Sequence, residues 1–233
     1  MDERAALRQA GAAALAVNAP ASPARIDAIA DGLAVEAPGT VLDVGCGRGD
    51  LLLRVLAAAP GTRGIGVDLD RAALDAARDR AREAGLAGRV TFAEADAAEW
   101  EGSCDAAICV ASSHALGGTA AMLLRLAELV PSGGLALVGD GVWERRPDAW
   151  HREVFGDMPD TDQLLEWAAM ESWTVEDVDR STAEEWDAFE AAWTAGVEAV
   201  GTDAARAYAA ERREEYRRYR GVVGFAWLVL RRT

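Results

Sequence analysis

The sequence predicts an open α/β fold, a mainly parallel, doubly wound sheet with helices on both faces. Three observations carry that prediction. Apolar runs of strand length at 41–44, 63–67, 89–93, 104–110 and 135–143 alternate with segments of helical periodicity, the pattern of successive βα units. The first run passes directly into a glycine turn and a helix, TVLDVGCGRGDLLLRVL over Thr40 to Leu56. An acid, Asp68, closes the second run nineteen residues beyond Gly49, where the end of a parallel strand meets a ligand.

The glycine turn narrows the ligand. Val41, Leu42 and Val44 read as a strand buried on both faces, and Leu51, Leu52, Leu53, Val55 and Leu56 resume at helical spacing until Pro60-Gly61. The dinucleotide fingerprint G-x-G-x-x-G, started at Gly45, finds Asp50 in place of its third glycine. What stands instead is G-x-G-x-G with Asp43 just before it. Carboxylates beside the turn repel a pyrophosphate and suit a cationic ligand, which favours S-adenosylmethionine (SAM), a sulfonium that also carries an ammonium group.

Three stretches resemble motifs of the class I (seven-stranded, Rossmann-like) SAM-dependent methyltransferases. VLDVGCGRGD resembles their first motif, GIGVDLD their second and PSGGLALVGDGVW their fifth-strand motif. The resemblance is specific over Thr40 to Asp140 and weak outside it. It implies a seven-stranded sheet in the order 3-2-1-4-5-7-6, last strand antiparallel, with N-terminal helices and a helical insertion before that strand. One domain is expected, with an N-terminal helical lid over 1–37, a SAM-binding core over 38–142, a mostly helical substrate cover over 143–220 and the last strand over 221–233. The implied reaction is an SN2-like transfer of the SAM methyl to an N, O or S atom of a small molecule, an amine or a natural-product intermediate among them, leaving S-adenosylhomocysteine (SAH). Cyclisation, aminocarboxypropyl transfer and non-catalytic SAM binding use the same motifs and stay open, and so does a nicotinamide or flavin oxidoreductase, which Asp50 disfavours.

The expected cofactor residues are Asp43, Gly45, Cys46, Gly47 and Gly49 of the turn and Asp68 and Leu69 at the end of the second strand. Asp96 and Ala97 follow the third, and Val110 and Ser112 end the fourth. Asp68 is placed to accept from both ribose hydroxyls. The resemblance gives Asp96 the adenine amino group and the next backbone amide a ring nitrogen. Trp100 either covers the adenine or packs on the neighbouring helix. His114, in the loop beyond the fourth strand, points at the methyl-transfer zone near the switch between strands one and four. It has the titration range of a general base and is the first catalytic candidate; Glu144 is the second. His114, Trp143, Glu144 and Trp186 are the expected substrate-binding residues, and Asp140 falls on the same edge. No metal is expected.

Elsewhere the chain is read from caps and periodicity. Residues 2–17 form an alanine-rich helix, and Ser22 caps a second with Pro23 at its first position. As a lid these helices resemble those of small-molecule methyltransferases; packing on the sheet edge is the alternative. Asp70 caps the helix that ends at Gly85, and Met122 to Val130 is helical. Arg145 to Asp160 reads as a mobile connection, Asp162 as a cap, and Trp173 to Val178 as the sixth strand. Ser181 and Thr182 each precede a Glu by three residues, a double chance at a capping box. The helix that follows carries Trp186, Phe189, Trp193, Val197 and Val200 on one stripe. Residues 203–220 form an exposed helix with Arg and Glu at i, i+4 spacing and Tyr208, Tyr216 and Tyr219 facing inward. Gly221 to Leu230 is the last strand.

Composition sets the outer bounds. The 233 residues are 51% hydrophobic, enough for one well-buried core. A formal charge of -15 disfavours nucleic acid and anionic membranes and permits neutral or cationic small substrates. Cys46, Cys104 and Cys109 show no disulfide or zinc spacing. With no secretory signal and no membrane-length apolar run, a cytoplasmic monomer or homodimer is expected.

Overall fold

The computed structural model describes residues 3–36 and 39–233. Met1, Asp2, Ala37 and Pro38, where the start of the first helix and the expected lid–core boundary fall, lie outside the described residues.

The elements run α1 (Glu3–Ala13), α2 (Pro23–Val35), β1 (Thr40–Val44), α3 (Asp50–Ala58), β2 (Arg63–Asp68), α4 (Arg71–Glu83), β3 (Val90–Glu94), β4 (Ala106–Val110), α5 (Thr119–Leu129), β5 (Leu135–Trp143), α6 (Ala149–Phe155), α7 (Thr161–Met170), β6 (Trp173–Arg180), α8 (Ala183–Glu198), α9 (Asp203–Tyr219) and β7 (Val223–Arg232). Single turns of 3-10 helix at Ala97–Glu99 and Ser113–Leu116 follow β3 and β4. The seven strands form one sheet in the order β3-β2-β1-β4-β5-β7-β6. Strands β1 to β5 pair in parallel, and β7 runs antiparallel to both β5 and β6. Fold class and strand order are those expected. No described helix is long and apolar enough to cross a membrane.

Alternation along the strands divides the core. Leu42, Val44, Val138, Val142 and Leu228 pack with Met122, Leu126 and Leu164 from α5 and α7 on one face. Val41, Ile108 and Leu137 pack with Ile26, Leu52, Leu56 and Leu74 from α2, α3 and α4 on the other. Each strand thus sends successive side chains to opposite helical layers.

A third cluster joins the two ends of the chain. Leu7 and Leu15 from the N-terminal segment bury against Trp193 and Val197 of α8 and Ala205 and Ala209 of α9. Gly11 lies so close to the Trp193 ring that a Cβ there would approach it to 2.4 Å. Glu185 ties the start of α2 to the start of α8. Its carboxylate accepts from Ser22 N (2.9 Å), Arg25 Nε (2.9 and 3.0 Å) and Thr182 N (2.9 Å). Burial pushes the Glu185 carboxyl up, but the bonds from Arg25 and the two backbone amides outweigh it and hold the group at about 2. The N-terminal helices therefore pack on the insertion as well as on the sheet.

Several local readings are corrected. Arg145 to Asp160 is not a bare connection: it contains α6, capped by Asp148, whose side chain accepts from His151 N at 3.0 Å. His151 is buried, Nε2 donating to the Arg218 carbonyl at 3.2 Å. Asp160, not Asp162, caps α7, because Gln163 stands three residues on and closes a capping box. Of the two chances before α8, Thr182 with Glu185 forms the box, and the Ser181 hydroxyl instead accepts from Trp227 Nε1 at 2.9 Å. Strand β6 continues to Arg180, and Val200 is exposed past the end of α8. Of the three tyrosines on α9, Tyr219 is buried and Tyr208 and Tyr216 are half-buried. The charges of α9 pair along their own helix at i, i+3, as Arg206–Asp203 and Arg217–Glu214, and across to α8, as Arg212–Glu190 and Arg213–Glu198, with Arg220 at the C-cap reaching Asp187.

The buried member of that set is Glu190, which accepts from Arg212 Nε (2.8 Å), Arg212 Nη2 (2.6 Å) and the Tyr219 hydroxyl (2.5 Å). Removing one partner of a buried pair leaves an uncompensated charge. Arg212→Met is therefore expected to lower the unfolding free energy by about 3–5 kcal/mol in urea denaturation; a loss under about 1 kcal/mol would show that the pair is not needed to hold α8 and α9 together.

Candidate cofactor and active site

A cavity of about 820 Å³ opens at the C-terminal ends of β1, β2 and β4. Gly45, Cys46 and Gly47 form its floor. Asp68 and Leu69 line it from the end of β2, Asp96 and Ala97 from beyond β3, and Val110, Ala111, Ser112 and His114 from beyond β4. Gln9, Ala12 and Ala13 of α1, with Leu15 to Asn18, close it from the N-terminal side.

Backbone geometry makes the floor. Gly45 sits at φ +69 beside Ser112, where a Cβ would come within 2.3 Å of the Ser112 hydroxyl oxygen. The Ser112 hydroxyl donates to the Val110 and Gly45 carbonyls (3.0 and 3.3 Å), which joins β4 to the glycine loop. The Gly45 and Cys46 amides donate to the Val67 carbonyl (2.8 and 3.1 Å) and fasten the loop to β2. Gly47, at φ +51, has no atom within 4 Å of its Cβ position, so its backbone faces open space. Ala111, at φ 54, holds a left-handed backbone without being glycine, a strained conformation of the kind found beside ligands.

The acids are held rigidly. Asp68 accepts from Gly47 N at Oδ2 (2.7 Å) and from Asp70 N at Oδ1 (2.8 Å). Each oxygen keeps a further lone pair, which is what a pair of vicinal hydroxyls needs. Asp43 is 5% exposed. Burial, and secondarily the charge of Asp68, pushes its carboxyl up to about 7. Cys46 is buried beside them; burial first, then the charges of Asp43 and Asp68, pushes its thiol far up and keeps it un-ionised. Asp96 caps the turn behind it by accepting from Ala98 N at 2.9 Å. Five aspartates (Asp43, Asp50, Asp68, Asp70 and Asp96) and a single arginine, Arg48, stand among the lining residues. Such a wall repels a pyrophosphate and fits a ligand carrying positive charge.

Most of the expected site residues meet here: Asp43, Gly45, Cys46, Gly47, Asp68, Leu69, Asp96, Ala97, Val110, Ser112 and His114 all line the cavity. Gly49 does not. It is buried behind the loop, its Cβ position 3.0 Å from the Phe92 ring, and at φ +73 it turns the chain into α3. Glu144 is also outside the lining, because Arg180 Nη1 holds its carboxylate at 3.1 Å. Trp143 sits edge-on to His151 and Phe155 (6.4 and 6.3 Å), and Trp186 edge-on to Phe189 and Tyr219 (5.9 and 6.0 Å). Trp100 packs on the core, its carbonyl accepting from Arg125. Asp140 anchors β5 to the start of α5, accepting from the Thr119 hydroxyl at 2.5 Å. The sequence offers an N-terminal lid as one of two readings without naming its residues; Gln9, Ala12, Ala13 and Leu15 to Asn18 are the ones that line the cavity. Sequence reasoning passed over Arg48, although a lone basic residue inside an acid-bordered turn was a visible signal.

Fold and site define a Rossmann-like α/β domain with a carboxylate-rimmed glycine loop at the mouth of its cavity. The methyltransferase-domain family model matches residues 41–134. YjhP of Escherichia coli K12, an uncharacterized protein, is 36% identical over 113 residues, which are 47% of this chain and 45% of YjhP; the match thus spans about half the length of that relative. A SAM-dependent methyltransferase from Thiobacillus denitrificans, solved with SAH, superposes with a TM-score of 0.85 at 25% identity, covering 100% of this chain and 99% of that one. One from Geobacter sulfurreducens, also solved with SAH, gives a TM-score of 0.88 over 98% of each chain at 24% identity. Residues 41–134 thus match a methyltransferase-domain model, and the whole chain has the fold of the SAM-dependent methyltransferases that were solved with SAH.

Two outcomes follow from the acids. Asp68→Ala is expected to weaken SAH binding by about 1–3 kcal/mol, the scale for losing a charged acceptor; unchanged affinity in calorimetry would remove Asp68 from the binding set. Asp43 supplies a pH dependence. Its raised carboxyl keeps a proton below about pH 7, and a cationic ligand favours the ionised form, so SAM binding should release a proton and tighten as pH rises toward 7, then level off. The unliganded protein should show the opposite trend. The stability that this group contributes is fully present below its ordinary carboxylate range and is lost as pH rises through about 7. Asp43→Asn should abolish both trends; calorimetry in buffers of different ionisation enthalpy and melting curves across that window read them out.

Proposed function

We propose that this protein transfers the methyl group of SAM to an N, O or S atom of a small molecule and releases SAH. One observation carries the reading: a single cavity joins the acid-rimmed glycine loop to His114. In this reading Asp68 accepts from the ribose hydroxyls, Asp96 and the Ala97 amide face the adenine, and Asp43 faces the ammonium group. Gly45, Cys46, Gly47, Leu69, Val110 and Ser112 shape the cradle. When bound, SAM supplies a methyl on a sulfonium that is already a good leaving group, so no acid is required on that side. The protein contributes position, holding the acceptor in line with that bond. A base is needed only if the nucleophile arrives protonated, and His114 takes that proton. Glu144 stays with Arg180, and Trp143 and Trp186 do not reach the cavity.

The wall selects the acceptor by charge. Asp50 is neutralised by Arg80, but the remaining acids of the wall, Asp68, Asp70 and Asp96 among them, outnumber Arg48, so an anionic acceptor is repelled and a neutral or cationic one, such as an amine, is admitted. The net charge of -15 argues the same way against nucleic acid and anionic membranes as partners. Residues 3–18 form a roof over the donor, and the α6–α9 region forms the outer cover.

The test is product mass with a panel of amines, phenols and thiols. Methyl transfer predicts an acceptor heavier by one methyl and one SAH released per turnover. An aminocarboxypropyl adduct, or a cyclised product of unchanged mass, would replace this reading with the corresponding chemistry. His114→Ala is expected to lower kcat by about 10²–10⁴-fold, the usual share of a general base, to leave SAH affinity intact, and to erase one limb of the pH–rate profile. Full activity with an unchanged pH profile would remove the base.

A further inference from the structure

Arg48 is the only Arg or Lys among the described residues that line the cavity, and it lacks a counter-ion. Its Nη1 donates to the Ala13 carbonyl at the end of α1 (2.5 Å). Its Nε is shielded from solvent and has no hydrogen-bond partner. No carboxylate of the described residues pairs with it, although five aspartates line the same cavity; the nearest in sequence, Asp50, is taken by Arg80. The side chain is half-buried. A guanidinium offers five N–H donors in a fixed fork, and here one of them is used. A half-buried cation with a stranded donor is costly unless an anion joins it.

The cofactor brings one. SAM carries two positive groups, the sulfonium and the α-ammonium, and one negative group, the α-carboxylate. The aspartates of the wall can face the first two and must repel the third. Among the lining residues only Arg48 can hold a carboxylate by charge, and a guanidinium edge matches a carboxylate with two parallel bonds.

We propose that Arg48 receives the α-carboxylate of the SAM amino-acid arm and, through its bond to the Ala13 carbonyl, ties the occupied glycine loop to the end of α1. The inference rests on SAM as the cofactor and goes further: it makes Arg48 the residue that separates donors bearing the carboxylate from those without it. It also gives donor binding a route to the roof. A second polar tie between α1 and the cofactor edge runs from Gln9 Nε2 to Asp70 at 3.3 Å.

The test compares ligands that differ only in the group concerned. Decarboxylated SAM keeps the sulfonium and the ammonium, and 5′-methylthioadenosine keeps the nucleoside alone. In calorimetry the unaltered protein should bind SAM about 10- to 100-fold more tightly than decarboxylated SAM, the range for a charge-assisted hydrogen bond. Arg48→Met should erase that preference while changing 5′-methylthioadenosine affinity less than about twofold, and Arg48→Lys should restore part of it. Equal affinity of the unaltered protein for SAM and decarboxylated SAM overturns the proposal whether or not the variants fold. So does an Arg48→Met protein that loses 5′-methylthioadenosine as severely as SAM, since Arg48 would then only be shaping the loop. Failure of the unaltered protein to bind any of the three would instead remove the cofactor assignment, and this inference with it.

Discussion

The arrangement on which the site depends is the fastening of the glycine loop between two carboxylates. Asp43 ends its strand buried, Asp68 ends the next strand gripped by two backbone amides, and the loop between them is tied to β2 by bonds to the Val67 carbonyl. Two like charges in a poorly hydrated place repel one another, and the raised carboxyl of Asp43 is the mark of that repulsion added to burial. An enclosure with that excess of negative charge is unfavourable when empty. It becomes favourable when a cation enters, so the strain of the free site works as affinity for the right ligand.

The fold holds this arrangement in place. β1 and β2 are interior strands with both faces covered, so the loop that leaves β1 cannot shift without disturbing two packed helical layers. Gly45 is pressed against Ser112 from the neighbouring strand, which fixes the loop laterally. The roof is built differently. α1 is packed on α8 and α9 in a cluster of its own and touches the cofactor edge through few polar bonds. A rigid floor under a roof that belongs to another packing unit suits the transfer proposed above, in which a donor enters, an acceptor follows and two products leave.

The sheet and most of the floor were legible in the sequence because they are local. Five apolar runs, a glycine turn and an acid at the end of the second run are patterns within a few residues of one another, and each maps to one strand, one turn or one cap. Asp43, Gly45, Gly47 and Asp68 lie in the cavity because a strand end and the turn after it are one object in space. The insertion was read less well. Trp143, Glu144 and Trp186 are aromatic and acidic residues near the active-site edge, yet Glu144 meets Arg180 and the two indoles meet other rings. The α9 charges read as partners along one helix do pair so in part, as Arg206–Asp203 and Arg217–Glu214, but Arg212 and Arg213 reach across to α8.

What the sequence by itself determined is therefore the βα alternation, the glycine loop with its bordering acids, and the family motifs that name the cofactor, all short-range features written in consecutive residues. What only the tertiary structure decided is which residues share the cavity. It excluded Gly49 by turning it toward Phe92, and it decided which residues of the N-terminal segment, Gln9 to Asn18, reach the site. It also left Arg48 with a backbone carbonyl and no carboxylate. Those outcomes depend on long-range packing, where a side chain's partner is set by which helices lie side by side, and periodicity along one segment carries no information about its neighbour.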